Sequence, residues 1–411
     1  MLRRIFYISY DTGFVSIHSH EIIANMIRLG INVNLFLPDN VELNVELHKE
    51  CTISRVPVVC EKSILNSLLW QFILTVILLF KMGKSGRPDM LYARQNYLGI
   101  LPILLARAFG TPYFAEMNGL TKKNGSGATG IRVIFKAFME RQCLKTANKV
   151  IVPSNTLKQR LIKRYRIRPA KIEVVPNGAN EELFQPREYE RNLRNSLGLR
   201  KSDFVVGFVG SMGEWQGIEI LKKSIRLSAA EPGNEMVKFL IVGDYVSDAS
   251  LSKMNAGLGE GRSNMDKFIR TNGLEDKVFY RGYVSYEKSA DFMNICDVLL
   301  APYTTSYLEY GGGSPMKLYA YLACGKPVII SDLGEFTDSD MLKQAEAAIL
   351  VPPDDSNALA GEIISLMKNV ELRGRLEEKS REFVVQKRRW YDSCVRIIAL
   401  YNRNLSSNLK T

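Results

Sequence analysis

Three glycines, a serine and a lysine lie close together in "YGGGSPMKLYAYLACGKPVIISD", Tyr310 to Asp332. Gly311, Gly312 and Gly313 let a ligand come near the backbone. Ser314 is a good helix N-cap, and Pro315 suits the first helical position. The spacing predicts a short apolar helix that starts at Pro315 and runs through Met316 to Cys324, stopped by Gly325 and Pro327. The unpaired N–H groups at such a helix start bind anions, diphosphate above all. Lys317, in the first turn, opposes the helix dipole but is placed to pair with a phosphate. Taken alone, the stretch reads equally as a flexible loop with a surface lysine. A second stretch, "GFVGSMGEWQG", repeats the logic: a strand ends among Gly207, Gly210, Gly213 and Gly217 and a helix follows. A nucleotide diphosphate fits between two such loops. The glycines do not follow the GxGxxG dinucleotide spacing and no acid is clearly placed for a ribose, so spacing alone leaves a sugar nucleotide and NAD both open.

The elements needed to position these loops are legible as a repeating pattern. Arg4–Ser9, Val33–Leu37, Ile53–Val59, "DMLYA", "PYFAEMNG" and "KVIVPS" read as strands, with helical spacing from Ile17 to Leu29 and from Ile100 to Phe109. After "KIEVVPNGANEELFQP", a short strand, a turn and a linker, the pattern restarts with "DFVVGFVGS", "VKFLIVGD", "KVFYRGYV", "CDVLLAPY" and "AILVPPDD". Strands alternating with helices imply an α/β fold with parallel, doubly wound sheets. The 411 residues exceed what one core usually organises. Two similar halves are therefore expected, residues 1–183 and 184–385. The helical tail runs from Leu372 to Asn404. Ligands in such sheets sit beyond the carboxyl ends of the strands, which selects the loops at Asp11–Gly13, Asn118, Gly210–Gly217 and Gly311–Ser314.

Composition is that of an ordinary globular chain, 46% hydrophobic and 24% charged. The net charge of +12 is uneven: between Leu120 and Lys171, fourteen lysines and arginines accompany one acid, Glu140. That stretch is either a solvated helical face or a contact for an anionic partner such as a membrane surface. A nucleic acid is not expected, because no recognised nucleic-acid module accompanies the charge. Six cysteines without a CxxC pair fit a reducing cytosol, and three histidines without HxxxH or HExxH spacing argue against a zinc site. No signal peptide is expected, since Met-Leu-Arg-Arg leads directly into a strand. "SILNSLLWQFILTVILLF", Ser63 to Phe80, borders on the length of a membrane span. Ser63, Ser67, Gln71 and Thr75 recur every four residues, however, and form one polar stripe that favours a buried or interfacial helix.

These residues together resemble the retaining GT-B glycosyltransferases of glycosyltransferase family 4, over nearly the whole chain. "SIHSHEIIANMIRLGINV" is similar to the family's first helix, with His18 where many members have a histidine. "PYFAEMNG" places Asn118 where others carry a cleft histidine, two residues after Glu116. "FVGSMGEWQG" is similar to the donor loop, and "SPMKLYAYLACGKPVIISD" resembles the family's most specific signature. The resemblance implies two Rossmann-like domains facing across a cleft. A C-terminal helix, residues 386–411, would cross back to the first domain. It also implies transfer of a sugar, with retention, from a UDP- or GDP-linked donor to a glycan or lipid-linked acceptor. Cell-surface polysaccharide or glycolipid synthesis on the cytoplasmic side of the membrane would be the setting, with no metal or other cofactor. Catalytic roles fall to His18, Asn118 and Lys317, with the acceptor also near Gly13. Donor contacts fall to Gly210, Ser211, Gln216, Gly217, Arg281, Gly312, Gly313, Ser314, Pro315, Met316 and Ala320. The departures are specific. Gly312 and Ala320 stand where the family has two glutamates, the second of which commonly holds the donor ribose. Ser211 and Gln216 stand where many members hold the diphosphate with arginine and lysine. Lys317, then Arg281, are left to supply positive charge, with Glu309 the nearest substitute carboxylate. Ala320 keeps a catalytically degenerate scaffold open, and the shared architecture keeps a sugar-nucleotide 2-epimerase open.

Overall fold

The β-branched and aromatic runs that open each half form the central strands of two parallel sheets. The computed structural model describes residues 1–10, 15–42, 51–58, 64–94, 99–120, 130–187, 191–244, 260–308 and 313–408. Chain packing divides it into a first unit, Met1–Pro176 with Trp390–Thr411, and a second, Asn177–Glu309 with Ser314–Arg389.

In the first unit the strands are β1 (Arg4–Ile8), β2 (Asn32–Pro38), β3 (Thr52–Val56), β4 (Met90–Arg94), β5 (Tyr113–Glu116), β6 (Lys149–Val152) and β7 (Ile172–Val174), in the order β3-β2-β1-β4-β5-β6-β7. Ile5 of β1 pairs with Val33 on one side and Met90 on the other, so the strand order reverses between β1 and β4. The helices are α1 (Ile17–Arg28), α2 (Ile64–Ser85), α3 (Ile100–Ala108), α4 (Gly130–Thr146) and α5 (Asn155–Tyr165). Right-handed crossovers place α2 to α5 on one face of the sheet. Their inner sides, including Trp70, Leu74, Ile103, Leu144 and Leu157, share one core with Phe6, Leu91, Tyr113 and Val150.

The second unit has β8 (Phe204–Val209), β9 (Val237–Val242), β10 (Val278–Tyr280), β11 (Val298–Ala301), β12 (Val328–Ser331) and β13 (Ile349–Val351), in the order β10-β9-β8-β11-β12-β13. Its helices are α6 (Arg191–Ser196), α7 (Ile218–Ala230), α8 (Glu260–Thr271), α9 (Tyr286–Asn294), α10 (Met316–Ala323), α11 (Ser339–Ala345), α12 (Ser356–Lys368) and α13 (Val370–Lys387). Strands buried on both faces explain the unbroken apolar runs. The order reverses between β8 and β11, and the loops after these two strands are the glycine-rich ones singled out in the sequence.

The tail is helical, in two pieces. It is α13 followed by α14 (Trp390–Asn408), broken at Arg388 and Arg389. The break has a cause: the Arg388 carbonyl accepts from Ala179 N–H, and Ala179 and Arg389 form a parallel bridge. The chain first leaves the first unit after Pro176 and makes its last return at Trp390. Within the first unit α14 packs on α1: the Trp390 ring meets His18 edge-on at 4.9 Å, and Ser393 Oγ donates to the Pro176 carbonyl.

Candidate functional site

The end of β8 and the start of α10 build one corner of the second unit. Gly210 has φ 159°, and a Cβ there would stand 3.1 Å from Lys317 Cδ; the lysine stem lies over this residue. Gly217 has φ 76°, and a Cβ would sit 1.7 Å from the Pro302 carbonyl oxygen, so no other residue fits the turn into α7. Between them Ser211 Oγ accepts from Gln216 Nε2 at 3.4 Å, while Gln216 Oε1 is buried with no partner.

Lys317 is not a surface lysine. Its Nζ is buried, makes no hydrogen bond among the described residues, and lies 4.0 Å from the centroid of the Phe208 ring and 4.8 Å from that of Tyr303. Burial pushes its pKa well below the ordinary lysine value. The rings offer a cation some compensation. They offer no counter-charge, and a buried ammonium without one is costly. An anion arriving at Gly210 would supply it.

Several expected roles change. The helix starts at Met316 with Pro315 as its cap residue, one position later than the sequence predicts. Ser314 is therefore not the N-cap. Its Oγ accepts from Asn177 N–H at 3.1 Å and donates to Tyr319 Oη at 2.9 Å; the tyrosine donates to Asp338, which grips Arg388 through both carboxylate oxygens at 2.7 and 2.8 Å. This relay ties the signature loop to both segments where the chain changes unit. Arg281 is not brought to the corner. It follows the edge strand β10, is exposed, and its guanidinium donates to the Ser196 carbonyl. Ala320 is 5% exposed within the apolar core, and Gly313 and Met316 are half-buried beside the helix start. Gly13, Glu309 and Gly312 lie outside the described residues. Sequence reading missed Tyr321, whose hydroxyl donates to Val209 C=O and accepts from Val209 N–H, fixing the strand end before Gly210. Nothing in the sequence distinguishes that tyrosine from a packing residue.

The first unit has its own polar pocket at the carboxyl ends of β4 and β5. Glu116, 2% exposed, accepts three bonds: from Tyr92 Oη at 2.6 Å, Asn118 Nδ2 at 2.6 Å, and His18 Nε2 at 3.1 Å. Apolar residues, among them Ile22, Ile151, Val175, Trp390 and Ile397, form most of the remaining wall around these four, with Ser393. Burial, then the Glu116 charge, raises the Tyr92 pKa well above normal, so the phenol stays a donor. A carboxylate accepts only, so it orients the Asn118 amide: Nδ2 faces Glu116, and Oδ1 is left buried without a partner among the described residues. His18 and Asn118 are thus brought together as expected, around a carboxylate that organises both.

Comparison with known proteins covers both halves. Residues 15–183 match the family described as Glycosyltransferase Family 4, and residues 190–383 match Glycosyl transferases group 1. A D-inositol 3-phosphate glycosyltransferase 2 of Catenulispora acidiphila is 24% identical over 367 residues, 85% of this chain and 82% of that protein. The UDP-Gal:alpha-D-GlcNAc-diphosphoundecaprenol alpha-1,3-galactosyltransferase of Escherichia coli is 26% identical over 321 residues, 78% of this chain and 75% of that protein. Among solved structures, Anabaena Alr3699/HepE in complex with UDP superposes with a TM-score of 0.74 at 17% identity, covering 97% of this chain and 100% of that one.

Proposed function

Because the chain belongs to the group 1 and family 4 glycosyltransferases and has their GT-B fold, we propose that it moves a sugar from a nucleotide diphosphate to a glycan or lipid-linked acceptor, with retention of configuration. The observation that carries the donor assignment is Lys317 Nζ, buried beside Gly210 without an anionic partner among the described residues. Transfer breaks the bond between the anomeric carbon and the diphosphate and forms one to the acceptor oxygen; negative charge grows on the leaving phosphate, which takes up the acceptor hydroxyl's proton. The Lys317 ammonium and the N–H groups that open α10 stabilise that charge. Ser211, Gln216 and Gly217 shape the remainder of the donor site. In the first unit, Asn118 Oδ1 accepts from the acceptor hydroxyl, and Glu116 holds the amide in that orientation. A UDP-linked donor is supported by HepE, solved with UDP-glucose, and by the UDP-Gal specificity in the galactosyltransferase's name. The diphosphoundecaprenol in that name supports a lipid-linked acceptor, which fits cell-surface polysaccharide or glycolipid synthesis at the inner membrane face. No metal or further cofactor is assigned.

The test is nucleotide release from a panel of UDP- and GDP-sugars, with membrane extracts supplying acceptors. Acceptor-dependent release from one donor is expected. Nucleotide-sugar binding without turnover would instead favour a scaffold that has lost activity, the reading Ala320 keeps open. Conversion of the donor without any acceptor would favour an epimerase.

A further inference from the structure

Helix α2 is inverted relative to a soluble amphipathic helix. Two polar residues at its middle turn inward: Gln71 is 1% exposed and accepts from Tyr10 Oη at 3.2 Å, and the half-buried Thr75 donates through Oγ1 to the Gln71 carbonyl at 2.7 Å. Its outward positions are large and apolar: Leu68, Phe72, Val76 and Phe80 recur every four residues, with Leu69 and Leu79 beside them, and Phe72 and Phe80 are 59% and 67% exposed. The neighbouring helices extend this surface, α3 through Leu104 and α4 through Ile134 and Phe138. Water does not stabilise such a face, and an apolar patch of this kind marks an interaction site.

Charge decides between occupants. Across α2 to α5 the sole acid is Glu140, which is buried. Basic residues run along α4 and α5, and each of the four helices carries at least one near its carboxyl end: Lys81 and Lys84 on α2, Arg107 on α3, Lys145 on α4, and Lys163 and Arg164 on α5. Arg107 and Arg168 stand close enough to Lys171 to help lower its pKa, after burial itself. A second copy of the chain would bring these like charges together. A span is excluded by topology: α2 is long and apolar enough to cross a bilayer, but it joins β3 to β4 within one sheet, and its inner side packs on that sheet.

We propose that the outer face of α2, with Leu104 of α3 and Ile134 and Phe138 of α4, lies in the surface of an anionic lipid bilayer, with the basic helix ends on headgroup phosphates. The apolar side chains enter the headgroup–acyl boundary and the cations add electrostatic attraction. This inference does not depend on the donor or on turnover.

The experiment is co-sedimentation of the full chain with vesicles of phosphatidylglycerol and phosphatidylcholine, against phosphatidylcholine alone. Binding to the anionic vesicles is expected, weakened by salt and weakened about fivefold for each of Lys84→Gln and Lys145→Gln. Phe72→Ser with Phe80→Ser is expected to abolish it. Both phenylalanines are more than half exposed, so the melting temperature and UDP binding should stay those of the parent chain. Failure to sediment with anionic vesicles would overturn the proposal. So would equal binding to neutral vesicles, or a dimer in solution that the same phenylalanine substitutions dissolve.

Discussion

At the scale of single residues, Lys317 sets function against stability. Removing an unpaired buried ammonium should stabilise the free protein and remove the partner of the leaving phosphate. Lys317→Met is therefore expected to raise the melting temperature and to weaken nucleotide binding by about 1.5–3 kcal/mol, the worth of a hydrogen bond to a charged group. Calorimetry and thermal unfolding on the same samples check both. The lowered pKa gives a second signature. Below the folded-state value both states carry the proton and the penalty is full. As pH rises from there to the ordinary lysine value, the unfolded chain binds more protons and stability climbs; above it, stability levels off. A phosphate partner raises the pKa again, so UDP binding should take up a proton in that window. Heats measured in two buffers of different ionisation enthalpy report it, and Lys317→Met should abolish it. Ala320→Glu puts a carboxylate where the alanine is 5% exposed, so the free variant should melt lower. UDP should restore its stability by more than it adds to the parent, because ribose hydroxyls would satisfy the new oxygens. An equal gain in both proteins would mean the ribose is held elsewhere.

At the scale of elements, the two glycine-rich loops were legible because each punctuates a strand–helix junction, and local chemistry is what sequence displays. What holds those loops was not legible. Tyr321 reaches across the second unit to Val209, and Ser314 reaches Asn177, 137 positions earlier in the chain. Such pairings depend on topology, not on spacing. The same limit misplaced Arg281, which follows the edge strand β10 while Gly210 follows β8, two strands away. Of the polar stripe read on α2, Ser63 and the Ser67 side chain lie outside what the structure describes; the inward direction of Gln71 and Thr75 came only with the packing of Gln71 against Tyr10. Tyr321→Phe leaves the Val209 N–H and carbonyl unsatisfied in a buried site and should cost about 1–3 kcal/mol in urea unfolding. Arg388→Met strands the Asp338 carboxylate, whose pair is largely buried, and should cost about 3–5 kcal/mol. A loss below 1 kcal/mol in either case would mean the relay is ornamental to stability.

At the scale of the whole molecule, the alternating pattern foretold two parallel sheets, and the backbone pairing of Ala179 with Arg389 lies within a few residues of the chain's first departure from the first unit and its last return to it. The return of the last helix to the first unit also sets an order of assembly. A ribosome delivers the first unit's sheet early and its closing helix last. Until Trp390 and the residues after it emerge, the side of α1 carrying His18 and Ile22 has no cover, and Pro176 lacks its bond from Ser393. The second unit, continuous from Asn177 to Arg389 apart from one short loop, has its own strands complete sooner. The nascent first unit is thus exposed to chaperones and proteases for longer than the part that follows it. A chain ended at Arg389 should leave the second unit folded and the first open to limited proteolysis, and the missing twenty-two residues supplied as a separate peptide should restore its protection.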